Sequence, residues 1–163
     1  MASGNTLAVF SPLHHQPPAS NYALLGSRNS HPTLEFDAAT AWDAIFGALL
    51  PRNYSGNGIT LTLVWAAASA TSGNCKWQAA FERLQDGTDS IGSDSFAAAQ
   101  SVTDAAPGTS GVVKYSTISF SDSQIDGLQA GEAYRLKVTR AAADVADTMT
   151  GNAQLLRVEV KET

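Results

Sequence analysis

Apolar and polar residues alternate along most of this chain in short segments separated by small polar turns. After Ser55-Gly56-Asn57-Gly58, the residues Ile59, Leu61, Leu63 and Trp65 occupy every second position, with Thr60 and Thr62 between them. A period of two describes a strand with one buried face. The same alternation carries Cys75, Trp77, Ala79 and Phe81 against Lys76, Gln78 and Glu82, then Tyr134, Leu136 and Val138 against Arg135 and Lys137. It returns in Leu156, Val158 and Val160 against Arg157, Glu159 and Lys161.

From His31-Pro32 onward the pattern predicts about eight strands: 33–36, 43–50, 58–67, 74–84, 95–103, 111–120, 133–141 and 153–161. Turn clusters at 53–58, 71–74, 85–89, 106–111 and 150–152 punctuate them. Strands at this spacing build a sandwich or barrel, and the long connections favour a jelly roll over an immunoglobulin-like sandwich. The expected fold is therefore an all-β, eight-stranded antiparallel jelly-roll sandwich with an extended N-terminal arm. Within 111–120 the apolar phase moves from Val113 and Tyr115 to Ile118 and Phe120, which predicts a β-bulge. Between the sixth and seventh strands, 122–131 reads as a helical turn with Ile125 and Leu128 facing inward.

Residues 1–32 differ in character, so the domain is expected to span 33–163. One strand candidate, Thr6 to Phe10, precedes the proline-rich segment 11–18. Prolines fix φ and remove backbone donors, which excludes a central ladder strand there. The segment reads as an arm whose apolar residues Phe10, Tyr22, Leu24 and Leu25 are expected to anchor it on the domain or on a neighbouring subunit.

Composition narrows the function. The 163 residues suffice for one domain with its own core. Only 15% of them are charged, and the net charge is -5 with ten scattered basic residues. Phosphate neutralisation needs clustered Lys and Arg, so no nucleic-acid partner is expected. No basic run precedes an apolar segment at the N-terminus and no run reaches about 18 apolar residues, so no membrane partner and no general secretory export are expected. Cys75, the sole cysteine, lies on an apolar strand face and reads as a small buried hydrophobe.

Candidate chemistry is thin. His14 and His15 are adjacent on an extended segment, point to opposite sides and do not share a metal, while His31 precedes Pro32; all three read as structural or surface residues. Asp86, Asp89 and Asp94 sit in a glycine-bearing loop that lacks the ligand spacing of a calcium hand and reads as a solvated turn. Glu35 with Asp37, or Asp144 with Asp147, has the composition of a glycosidase pair, but such pairs arise freely among fifteen acids. No catalytic residue, metal ligand or cofactor is expected, and the chain is expected not to be an enzyme. Among the aromatics, Trp65 and Trp77 follow the core alternation, whereas Trp42, Tyr54 and Tyr115 are uncommitted. Tyr54 in its turn is the first candidate for a ligand contact, with Trp42 second.

The strings Pro17-Pro18-Ala19-Ser20-Asn21-Tyr22-Ala23, Arg28 through Asp37, Leu50-Pro51-Arg52-Asn53-Tyr54, Trp65 through Trp77, and Asp147-Thr148-Met149-Thr150-Gly151-Asn152 through Glu159 together cover much of the chain. In these the sequence resembles a group of small proteins encoded in tailed bacteriophages and prophages. The resemblance implies a virion structural component with a jelly-roll domain, similar to the trimeric cement or decoration proteins of phage capsids. It implies a homotrimer, the major capsid protein as partner, and a place on the capsid surface after assembly in the host cytoplasm. The alternative is a carbohydrate- or receptor-binding module of a tail or head fibre, presenting Tyr54, Trp42 and its polar loops.

Overall fold

A computed structural model describes residues 4–163. Ten strands form the fold: β1 Thr6–Phe10, β2 Leu24–Arg28, β3 His31–Phe36, β4 Trp42–Leu49, β5 Ile59–Ala67, β6 Asn74–Leu84, β7 Gln100–Ala105, β8 Val113–Phe120, β9 Ala133–Arg140 and β10 Ala153–Glu162. They make two antiparallel sheets, one ordered β2-β3-β10-β5-β8 with β1 also on β10, the other β4-β9-β6-β7. The two apolar faces close on each other.

Alternation decides which side chains enter that core. Ile59, Leu61, Leu63 and Trp65 from β5 meet Cys75, Trp77, Ala79 and Phe81 from β6, all of them buried. Trp77 packs edge-on against Phe36 at 5.0 Å and against Trp65 at 5.8 Å, and Phe81 meets Phe120 at 5.0 Å. Offset and edge-to-face pairs of this kind add to area burial. The Trp65 indole N–H donates to the Ser116 hydroxyl at 2.8 Å, which satisfies a donor that burial would otherwise strand. At one end of the sandwich, fully buried Arg140 on β9 pairs with buried Asp147 at 2.8 Å and donates to the carbonyls of Met149 and Gly151. One guanidinium thus fastens the connection between β9 and β10.

The structure revises four expectations. There are ten strands where eight were expected, because β1 and β2 lie inside residues 4–32. That stretch is not a separate arm: β1 pairs with β10 from Thr6 to Phe10, β2 pairs with β3, and the Gln16 and Ala23 amides donate to the carbonyls of Ile45 and Asp43 beside β4. A 3-10 turn at Pro12–His14, with a proline at its start, and extended backbone from His15 carry the chain onward from β1. The bulge expected in β8 is absent, since β8 keeps unbroken register with β5 from Val113 to Phe120. Val113 and Tyr115 face outward, while Ser116, Ile118 and Phe120 face the core. Register shifts fall instead in β10, between Leu155 and Arg157, and in β1, between Thr6 and Ala8. The strand expected from Ser95 begins at Gln100, and the turn at Asp122–Gln124 buries Ile125 and Leu128 as the pattern predicted.

Candidate functional site

β2 and β3 form a hairpin closed by Asn29 and Ser30, whose φ values are 46° and 63°. A two-residue loop with both φ positive matches the right-handed twist of the strands it joins. β3 pairs with β10 only from Leu34 to Phe36, and β1 takes the same edge of β10 from Val158 onward. The hairpin tip is thereby turned off the sheet edge and over its outer face. Arg28, at the end of β2, accordingly reaches the carbonyls of Ala67 and Ala68 where β5 ends, at 3.2 and 3.1 Å.

Between this tip and the sheet lies a groove of about 460 Å3. Arg28, Asn29, His31, Thr33 and Gln154 give it a polar side, and Ala66, Val112, Val113 and Leu156 an apolar one. The register explains the assembly. Leu24, Glu35, Gln154, Ala66 and Val113 pair in succession across β2, β3, β10, β5 and β8, and directly paired residues share a face. Arg28 Nη1 donates to Gln154 Oε1 at 3.0 Å, Gln154 Nε2 donates to Glu35 Oε1 at 2.8 Å, and the Thr33 hydroxyl donates to that same oxygen at 2.7 Å. Such a connected row holds donors and acceptors in fixed directions.

Two glycines keep the groove in shape. A Cβ on Gly26 would stand 3.0 Å from both Thr33 Oγ1 and Glu35 Oε1, so glycine leaves that row uncovered. Gly111 has φ of 80°, and a Cβ there would come within 2.5 Å of Arg28 Nη2. The guanidinium lies against its backbone. Tyr115, two residues along the same face of β8 from Val113, is 66% exposed and stands opposite Val64. An exposed tyrosine on the same sheet face as oriented polar groups suits polyhydroxylated ligands: the ring packs on apolar C–H faces while hydroxyls find donors and acceptors.

The residues expected to touch ligands or partners lie elsewhere. Tyr54 is 8% exposed and belongs to the core, a correction to its candidacy: its hydroxyl accepts from the Gly58 amide at 3.0 Å and donates to Asp122 at 3.1 Å. Burial, reinforced by the charges of Asp122 and Glu162, pushes its pKa up to about 12. Trp42 is half-buried and packs on the core edge. Phe10 is also core, stacked on Phe46 at 5.1 Å, and so does not reach out to a partner. Tyr22, Leu24 and Leu25 remain exposed, with Leu13.

Burial pushes the Cys75 thiol up. Asp144 pairs with Lys76, and Asp147 with Arg140. Asp37 closes its own turn by accepting from the amides of Ala39 and Thr40, which holds its carboxyl below the usual range. Asp89 accepts from the Gln85 amide and Asp94 from that of Ser95. Among the described residues no three His, Cys, Asp or Glu side chains converge as a metal-holding group, and no helix is long and apolar enough to cross a membrane. His14 accepts from the Ser11 amide and His15 from that of Ile45, whereas His31 lines the groove.

Neither a protein-family model nor a curated protein matches the chain. Solved structures do. The second CBM22 xylan-binding domain of Paenibacillus barcinonensis Xyn10C aligns at 14% identity over 92% of each chain, with a TM-score of 0.50. The carbohydrate-binding module CBM6cm-2 of Cellvibrio mixtus lichenase 5A, solved with cellotriose, aligns at 11% identity over 98% of this chain and 99% of that one, TM-score 0.46. The K3 adhesin domain of Lys-gingipain from Porphyromonas gingivalis aligns at 15% over 99% and 100%, TM-score 0.45. At these identities the likeness concerns the fold, which is an antiparallel jelly-roll β-sandwich.

Proposed function

We propose that this chain is a carbohydrate-binding module whose ligand lies in the groove between the β2–β3 hairpin and the outer face of the larger sheet. The observation that carries the reading is the joining of an oriented polar row, Arg28-Gln154-Glu35-Thr33, to an apolar wall that leads to exposed Tyr115. Sugars need both kinds of contact at once. The xylan-binding domain from Paenibacillus shows that a sandwich of this architecture serves such a role elsewhere. A glycan array followed by titration calorimetry tests the proposal. Tyr115→Ala is expected to lower affinity about tenfold with unchanged thermal stability, as loss of a contact anchor does. No binding to any glycan, or full affinity retained by both Tyr115→Ala and a groove-wall variant, Val113→Glu, would remove the groove from consideration.

One observation favours a second reading, the virion decoration protein implied by the phage resemblance. Leu13, Tyr22, Leu24 and Leu25 border an apolar depression of about 280 Å3 beside β4, and exposed apolar surface of this kind is commonly a protein contact. This reading expects trimers of the chain bound to a capsid shell. Light scattering that gives a monomer mass, with no binding to empty capsids of the parent phage, would dispose of it.

A further inference from the structure

Resting on the carbohydrate reading, we infer that the groove selects an anionic saccharide, with a carboxylate or sulfate ester of the sugar paired to the Arg28 guanidinium. Charge distribution is the first reason. The chain carries fifteen acids against ten Lys and Arg, yet the groove lining includes Arg28 and His31 and not one Asp or Glu. Glu35, the one acid of the polar row, supports that row from outside the groove lining, its Oε1 accepting from Thr33 and Gln154.

The guanidinium itself is the second reason. All its hydrogen bonds among the described residues leave from Nη1, to two backbone carbonyls and the Gln154 amide oxygen. Each acceptor is neutral. The four ion pairs among the described residues, Lys76–Asp144, Arg83–Glu132, Arg135–Glu82 and Arg140–Asp147, do not include Arg28. A half-buried arginine fixed through one nitrogen keeps Nε and Nη2 as donors, and that planar pair matches an oxyanion with two oxygens. Its position is set before any ligand arrives, because Nη1 is tied to the end of β5 and the group packs against Gly111. Preorganisation of this kind lowers the ordering cost of binding.

Calorimetry on the full chain with an oligogalacturonate, a heparin-derived sulfated oligosaccharide and a xylo-oligosaccharide tests the inference. At least one of the two anionic probes is expected to bind about tenfold or more tightly than the neutral one, with affinity falling as NaCl rises; which of them binds identifies the anion. Arg28→Gln is expected to abolish that preference. Because Arg28 also fastens β5, Val113→Glu provides a second variant, placing a carboxylate on the groove wall; it is expected to weaken the anionic ligand about tenfold. Val145→Glu adds the same charge on a remote, fully exposed loop position and is expected to leave binding unchanged. Equal affinity for neutral and anionic probes, or a preference that survives both groove variants, overturns the anionic selection and leaves the carbohydrate reading standing. Absence of binding to any glycan, neutral or charged, overturns both.

Discussion

Arg140 shows what a single buried charge does in this sandwich. It is fully buried, and the carboxylate of Asp147 with the carbonyls of Met149 and Gly151 replaces the water it has lost. Arg140→Ala leaves Asp147 charged, buried and unpaired, a loss of about 3 to 5 kcal/mol that urea unfolding would measure. Tyr54 is a gentler case. Its folded pKa of about 12 lies above the ordinary 10.0, so the neutral phenol favours the folded state. That contribution is complete below pH 10 and is lost as pH rises toward 12, because the unfolded chain then releases the proton first. Tyr54→Phe removes the acceptor for the Gly58 amide, is expected to cost about 1 to 3 kcal/mol at neutral pH, and should flatten the alkaline decline in melting temperature.

At the scale of elements, legibility followed periodicity. β6 spans Asn74–Leu84 as its alternation predicts, since a strand packed on one face writes that face into every second residue. β2 is hidden because Leu24-Leu25-Gly26-Ser27-Arg28 has no such alternation; hydrogen bonds to β3 define it. The groove was invisible for a related reason. Arg28 and Thr33 come from one hairpin, but Tyr115 and Gln154 lie on β8 and β10 far along the chain, and no local pattern marks the four as a set. Tyr115 carried a usable signal: its phase is opposite to Ile118 and Phe120, which unbroken register converts into an outward ring. β1 was legible as a strand but not as part of the sheet. Phe10 fills the space against Phe46, so Phe10→Ala is expected to cost about 3 to 5 kcal/mol by chemical unfolding, whereas a detached arm would lose nothing.

For the whole molecule, the larger sheet is organised around its last strand. β10 has β3 and β1 along one edge and β5 along the other, joining Thr6 to Lys161 and Ile59 to Glu162. Contacts this remote in sequence impose a loop-closure cost before they return any stabilisation, which places the chain among slow folders. Refolding on the scale of milliseconds to seconds is expected by stopped-flow fluorescence of the core tryptophans, and microsecond refolding would contradict it. During synthesis the consequence is sharper. Until residues 153–162 leave the ribosome, β3 and β5 present open hydrogen-bonding edges with apolar faces, and the nascent chain has the surface of an aggregating one.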